Sequence, residues 1–405
     1  MRILMVNKFH YLKGGSEKYY FELAELLKNN GHEVAFFSME NNKNIKTECK
    51  EYFVPNIDLN SKNPFKALNV IYSKTNRKIM DKAIEEFKPD IVHINNFQRQ
   101  LSASIIKPIK SRNIPIVFTA HDMQAICPNI VMLDGKLELC EDCTGGKYVN
   151  CTKKKCIKNS KLKSILGSIE GYYYRIKKIY KQLDCIITPS YFYKDKLIKD
   201  GIDKNKIIAI HNCIDIDKYS VKQKSDGKYV LYIGRLSREK GIIDLVEAFS
   251  NIDMGKLYIA GDGEEKERIE RLVNEKNISE RVELVGFIAQ DKVNEYISNA
   301  TVVALPSKWY ENCPYSALET IAIGKPIIGS DLGGIPELVE HDVNGLIYKN
   351  QQELETYLKK VLEDKEYCEK LERGAERLRQ QYSKENYYEE IMKIYQNLVR
   401  ENCNG

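Results

Sequence analysis

Residues 302–319 read VVALPSKWYENCPYSALE. Val302 to Leu305 is an apolar run of strand length, and the polar loop after it runs towards a helix near Pro314. Proline suits a first helical turn, where its missing N–H is not needed. The amides of Tyr315 and Ser316 then lie at the positive end of that helix, a place for a phosphate. Glu311 precedes the helix, and Glu319 lies about one and a half turns inside it. The two acids flank the phosphate position and suit hydroxyl groups of a sugar and a ribose. Strand, binding loop and helix in succession form one unit of an α/β fold.

Working outward, the same unit recurs. Gly-rich turns follow at Gly324-Lys325-Pro326 and at Gly333-Gly334-Ile335-Pro336-Glu337. Upstream, Tyr229 to Ile233 is a strand that opens into Gly234-Arg235-Leu236-Ser237-Arg238-Glu239-Lys240-Gly241 and then a helix, Ile242 to Ser250. Arg235 and Lys240 can both reach a diphosphate, Arg by a planar fork and Lys as a point charge. Gly261-Asp262-Gly263 follows the strand Lys256 to Ile259, and Val285-Gly286-Phe287 follows Val282 to Leu284. Both place pliant backbone at strand ends, where a base can lie. A last strand is expected at Pro326 to Gly329, after the helix Ser316 to Ile323, with helices from Gln351.

The first half has the same rhythm. Strands are expected at Arg2–Val6, Glu33–Phe37, Ile91–Ile94, Ile116–Thr119 and Cys185–Thr188. Helices are expected over 17–29, with Phe21, Leu23, Ala24, Leu26 and Leu27 as its buried stripe, and over 66–87. Residues 217–228 are polar and read as a linker. Alternating strands and helices make a parallel, doubly wound sheet in each half. Ligands are expected in the cleft at the strands' C-terminal ends. Gly14-Gly15 follows the first strand and opens a helix, and His121 ends the strand 116–119, on the rim. Asn95 and Asn96 are weaker candidates there, and His93, inside its strand, is expected to be packed. No G-x-G-x-x-G opens either half, which disfavours a dinucleotide enzyme.

The 405 residues are 43% hydrophobic and 30% charged, enough for two or three soluble domains and against a disordered or collagen-like chain. No apolar run reaches the roughly 18 residues of a membrane span. The N-terminus lacks the longer apolar region of a signal peptide, so a cytoplasmic protein is expected. Charge divides unevenly. Residues 1–210 hold 36 Lys/Arg against 22 Asp/Glu, and the rest hold 27 against 35. The excess peaks between Gly145 and Lys181, where 11 Lys/Arg stand against one acid, Glu170. Tyr172, Tyr173 and Tyr174 lie among them, beside Ile165, Leu166, Ile176 and Ile179, a mixture suited to an anionic membrane surface at which the protein would be peripheral. No nucleic-acid-binding motif accompanies it.

Eleven cysteines is an odd number, so complete internal pairing is excluded. Cys140, Cys143, Cys151 and Cys156 cluster, with Cys127 close by. Their spacing allows a structural zinc or an iron–sulfur cluster; the other reading is a reduced loop without metal.

The four segments at Gly234, Gly261, Val285 and Pro306, in this order, resemble the donor half of the retaining glycosyltransferases of family four (glycosyl transferases group 1), with the GT-B fold. The resemblance covers nearly the whole chain and is strongest from Tyr229 to Tyr348. It implies an α/β chain of two Rossmann-like domains facing across a cleft. An acceptor-side domain is expected over 1–215, with a Cys-rich insertion at about 123–160. A donor domain follows over 216–380, and a terminal helix at 381–405 crosses back. It implies transfer from a nucleotide diphosphate sugar without a metal cofactor. Arg235 and Lys240 would bind the diphosphate, Glu311 the sugar hydroxyls and Glu319 the ribose. Gly14 and Gly15 would face the diphosphate and acceptor, and His121 the donor sugar. Gly234, Gly261, Gly263, Gly286, Phe287, Pro314, Tyr315 and Ser316 complete the donor-binding set. The acceptor is expected to be a lipid-linked sugar or growing glycan. Asn312-Cys313-Pro314 departs from the family's frequent Gly-Phe-Gly, and the proline removes one N–H donor. A sugar-nucleotide epimerase on the same fold and a non-catalytic nucleotide-sugar or metal-binding scaffold are the rival readings.

Overall fold

A computed structural model describes residues 1–57, 70–219 and 228–403. The chain divides into two compact units: Met1–Ile210 with Tyr388–Gly405, and His211–Tyr387. The first unit holds β1 (Arg2–Asn7), β2 (Glu33–Met39), β3 (Lys50–Val54), β4 (Ile91–Asn96), β5 (Ile116–Thr119), β6 (Cys185–Thr188) and β7 (Ile207–Ala209). They form one sheet in the order β3-β2-β1-β4-β5-β6-β7, with every neighbouring pair parallel. The second unit holds β8 (Tyr229–Ile233), β9 (Lys256–Ala260), β10 (Val282–Gly286), β11 (Val302–Leu305), β12 (Ile327–Ser330) and β13 (Gly345–Tyr348). Its order is β10-β9-β8-β11-β12-β13, again parallel throughout. Parallel sheets are covered on both faces, so central strands show no in–out alternation. All residues of β4, β5, β6, β11 and β12 are buried accordingly.

The strands expected from the apolar runs are present, half of them lengthened by a residue or two and the one expected at 326–329 shifted to Ile327–Ser330. β3, β7 and β13, at sheet edges, and the helices Lys266–Glu275 and Gln290–Asn299 were not anticipated. The helix Gly15–Asn29 buries Tyr19 and Tyr20 where Phe21 was expected. Each tyrosine tip finds a partner, Tyr19 at Thr119 Oγ1 (3.2 Å) and Tyr20 at His10 Nδ1 (3.3 Å), which makes burial tolerable. The helix expected over 66–87 is described as Lys74–Phe87, where the Ser73 side chain caps it by accepting from Asn76 N–H. Residues 66–69, and 220–227 of the stretch read as a linker, lie outside the described residues. The helix Lys384–Cys403 places Tyr395 against His93 in the first unit, with their Oη and Nδ1 bonded. His93 is wholly buried and also pairs through Nε2 with Thr119 (2.8 Å), so it is packed, as its place in the strand suggested. Among the described residues no helix is long and apolar enough to cross a membrane.

The chain's one tryptophan is Trp309, in the second unit, so its fluorescence reports that unit's unfolding. Leu231 in β8 is fully buried. Leu231→Ala should destabilise that unit by about 3 kcal/mol, read as a lower urea midpoint of Trp309 emission. An unchanged midpoint would mean that this core does not limit the unit's stability.

Candidate active site

Strand order reverses at β8, with β9 on one side and β11 on the other. The connections after β8 and β11 therefore leave in opposite directions and open a crevice at the sheet's C-terminal edge. The segment after β8 is Gly234–Gly241, and that after β11 is Pro306–Pro314. They are bound together. Lys308 N–H donates to Glu239 O at 2.8 Å. Gly241 has φ +68°, and a Cβ there would stand 1.8 Å from Pro306 O. Only glycine allows both that conformation and that approach.

Lys240 and Glu311 meet across this contact, Nζ donating to Oε1 at 2.6 Å. The same carboxylate oxygen accepts from Ser307 Oγ (2.8 Å) and Trp309 Nε1 (2.8 Å). Glu311 is only 8% exposed. Burial alone would raise its pKa, but the Lys240 charge and the hydrogen bonds from Lys240, Trp309 and Ser307 outweigh it and hold the carboxyl below its usual range. Lys240 Nζ also lies 5.3 Å from the Trp309 ring centre. From behind, Gly334 N–H donates to Glu311 O at 2.7 Å. Gly333, at φ +64°, leaves no room for a side chain, since a Cβ would be 2.3 Å from that same oxygen. Ser330 Oγ fixes Ser307 through its carbonyl at 2.7 Å.

Arg235 is more open. Its Nη2 pairs with the Glu239 carboxylate and its Nε with Ser237 Oγ (3.2 Å), while most of the side chain is exposed. Gly234, Gly261 and Gly286 bring backbone close to backbone at the ends of β8, β9 and β10. Gly261 N–H donates to Gly286 O (2.7 Å), and a Cβ on Gly261 would lie 1.9 Å from Gly234 O. A Cβ on Gly263 would lie 2.3 Å from Leu236 O, and Phe287 projects into solvent at 84% exposure. Pro314 is the residue that caps the helix Tyr315–Ile323, one position earlier than the first-turn place expected for it. Its carbonyl takes the first helical N–H, from Ala317 (3.0 Å), so Tyr315 and Ser316 are the opening amides. Glu319 is buried in the same helix and accepts from Tyr219 Oη at 3.4 Å.

In the first unit the order reverses at β1, between β2 and β4. Gly14 caps the helix that Gly15 begins. Glu17, 3% exposed, accepts there from Asn7 Nδ2 (3.3 Å) and Ser16 Oγ (3.0 Å). His121 stands half-buried after β5, donating Nε2–H to Asn95 Oδ1 at 2.9 Å, with the Tyr19 ring edge-on at 4.7 Å. Burial first and the Lys8 charge second push its pKa down to about 3, so the imidazole is neutral.

The residues that sequence reasoning missed are Ser307, Trp309, Ser237 and Glu239, which hold the charged groups. The lone tryptophan in a polar strand-to-helix loop was the available signal. The cysteine expectation is corrected. Among the described residues no three His, Cys, Asp or Glu side chains form a group that could hold a metal ion. Cys143, Cys151 and Cys156 pack with Tyr148 in a small apolar cluster. Cys140 lies outside it, less buried, where its Sγ accepts from Lys154 Nζ (3.3 Å). Burial pushes the Cys143 thiol up to about 12, and a hydrogen bond with Cys156, then burial, push Cys151 up too. The same bond lowers Cys156, while Cys143 and Cys151, held protonated, pack as core residues.

Residues 13–218 match the family described as Glycosyltransferase Family 4, and residues 214–378 match Glycosyl transferases group 1. The chain belongs to this family of glycosyltransferases. It is 32% identical over 182 residues to an uncharacterized glycosyltransferase of Methanocaldococcus jannaschii, a match spanning 44% of this chain and 46% of that protein. The alpha-monoglucosyldiacylglycerol synthase of Acholeplasma laidlawii is 24% identical over 79% of this chain and 78% of its own. The crystal structure of Anabaena HepE in complex with UDP is similar at a TM-score of 0.71 and 16% identity, covering 98% of this chain and all of that one. That likeness shows the fold, which is GT-B.

The depressed Glu311 carboxyl has a pH consequence. The folded protein binds this proton less well than the unfolded chain. Its stabilisation is therefore complete above the ordinary value of 4.5 and is lost as pH falls through the depressed one. In Glu311→Gln this contribution should vanish, so stability followed by Trp309 emission should fall less steeply with acid than in the native chain. Identical pH profiles would mean that the carboxyl is not held down.

Proposed function

We propose that the chain is a retaining glycosyltransferase. On this reading it moves a sugar from a nucleoside diphosphate sugar to a lipid-linked sugar or growing cell-surface glycan, at the cytoplasmic face of a membrane. The observation that carries the reading is the buried Glu311–Lys240 pair at the strand-order reversal, beside a helix N-terminus, in a chain of this family. HepE's complex with UDP supports a nucleoside diphosphate as the donor's leaving group. The Acholeplasma relative's name supports a lipid-borne acceptor.

As the bond from the anomeric carbon to the diphosphate oxygen breaks, negative charge grows on the leaving group. Lys240, Arg235 and the amides of Tyr315 and Ser316 supply the positive charge that meets it, in the place a divalent cation takes in other transferases. Glu311 would exchange Lys240 for the donor's sugar hydroxyls, releasing the ammonium to the phosphates. Glu319 is assigned to the ribose. The glycines at 234, 261, 263 and 286, with Phe287, are assigned to the base side. On the first unit, the neutral His121 and the Gly14–Gly15 turn are assigned to substrate. Retention of configuration is carried over from the family resemblance.

Transfer by Glu311→Ala, and by Arg235→Ala with Lys240→Ala, should fall by about 100- to 1,000-fold while the fold persists. Near-native rates would remove these residues from the site. Thermal unfolding with UDP, GDP and ADP identifies the nucleotide. Saturation at about 100 times Kd adds about 2.7 kcal/mol, a rise of several degrees that Arg235→Ala should abolish. Product formed with no acceptor present would favour an epimerase, and binding without turnover a scaffold.

A further inference from the structure

The helix Lys161–Ile176 is inverted. Its buried face is Ser164, Gly167, Ser168, Glu170 and Tyr174, and most of its leucine and isoleucine side chains point outward. Leu162, Leu166, Ile169, Tyr172 and Ile176 are all exposed, Leu162 at 68% and Ile176 at 73%. At about 100° per residue these five fall within an arc of about 120°. Lys161 borders the arc on one side, and Lys163 and Lys177 on the other. Val149 extends the patch, its N–H donating to Tyr172 Oη at 3.2 Å.

The inner face cannot be exchanged for the outer one. Ser168 Oγ donates to Tyr148 O (2.7 Å), and Ser164 Oγ accepts from Ile157 N–H (3.1 Å). Glu170 accepts from Arg99 N–H (3.0 Å) and pairs with the Arg99 guanidinium (3.7 Å). A Cβ on Gly167 would lie 2.5 Å from Ile157 Cδ1, and one on Gly171 2.9 Å from the Tyr148 ring. The helix therefore sits close by means of small residues and is fastened by polar bonds. Its apolar arc faces out because nothing inside can receive it. A contiguous apolar patch on a folded surface calls for an occupant.

The charge selects among occupants. Glu170, the only acid between Gly145 and Lys181, is buried and paired, so the exposed charges of this segment are all basic. A second copy meeting face to face would bring like charges together. An anionic bilayer would take the aliphatic side chains into its interface and the lysines at its headgroups.

We propose that the helix Lys161–Ile176 is the surface by which this protein docks on an anionic lipid bilayer. It would lie in the membrane plane with Leu162, Leu166, Ile169 and Ile176 among the acyl chains. This rests on the proposed function only in that a membrane-borne acceptor gives the docking its purpose.

The test is sedimentation of the full chain with vesicles of phosphatidylcholine alone, or with about 30 mol% phosphatidylglycerol. The mixed vesicles should carry the protein down and the neutral ones should not. Leu166→Glu with Ile169→Glu should lower partitioning about 100-fold, because two aliphatic side chains no longer leave water. Lys161→Glu with Lys177→Glu should lower it about 30-fold, and added salt should act likewise. All four positions are exposed, so thermal unfolding should be unchanged. No sedimentation with mixed vesicles, or equal sedimentation of Leu166→Glu with Ile169→Glu, would overturn the proposal. So would a native dimer that this double variant converts to monomer, since a second copy would then be the occupant. The nucleotide-induced rise in unfolding temperature separates the two readings, because it tests the donor site whether or not the vesicles bind.

Discussion

A carboxylate removed from water must be paired, and Glu311 is the carboxylate around which the second unit's loops are built. Three donors reach one of its oxygens: a cation from the segment after β8, and a hydroxyl and an indole from its own loop. To deliver the cation, the two segments must touch, and Gly241 is the residue that lets Pro306 come close enough. To turn the carboxylate inward, the main chain at Glu311 must be gripped from behind, and Gly333 and Gly334 do that. None of these contacts is needed to bury apolar surface. A buried ion pair is weak evidence for stability and better evidence for a site that expects polar company. On the function proposed above, Glu311 would exchange one set of hydrogen bonds for another when a sugar's hydroxyls arrive.

Strand order explains why this happens where it does. In each sheet the first strand of the unit lies inside, with later strands added on both sides. The connections on its two sides diverge, and the carboxyl ends of the strands are left with a crevice. The first unit shows the same device in a different dress. Glu17 sits buried at the start of a helix, bound by Asn7 and Ser16, next to the end of β1. There, among the described residues, no cation bonds to it; the helix N-terminus itself favours the negative charge. Two copies of one topology have thus been furnished with different chemistry, as expected when function resides in loops and the fold only positions them.

Much of this was legible in the sequence. Central strands such as Ile116–Thr119 and Tyr229–Ile233 are almost wholly apolar, because parallel sheets bury both faces, and they were read correctly. Edge strands were not. Lys50–Val54 is half polar and Ile207–Ala209 is three residues long, so neither carries a pattern longer than noise. Glu311 and Lys240 were legible as residue types at strand ends, but their mutual bond was not, since 71 residues separate them in sequence. Trp309 and Ser307 were passed over because indole and hydroxyl donors have no characteristic spacing. The cysteines show the opposite failure. Spacing alone suggested a ligand set, whereas ligation depends on where each Sγ points. Here Cys140 turns to Lys154 while the other three pack with Tyr148.

The inverted helix was half legible. Its composition, basic with aliphatic and aromatic residues, was plain, but composition does not say which face is inside. The glycines at 167 and 171 decide it, because only their side of the helix can approach Tyr148 and Ile157. With that face fixed inward, the charge asymmetry of the whole chain takes on a direction. Residues 1–210 carry a net +14 and the remainder −8, counted from the Lys, Arg, Asp and Glu of each part. A negatively charged bilayer attracts the part that bears the apolar arc and repels the part that bears Glu311 and Lys240. On the proposed docking, the field of such a bilayer favours the approach of the basic part that bears the helix Lys161–Ile176.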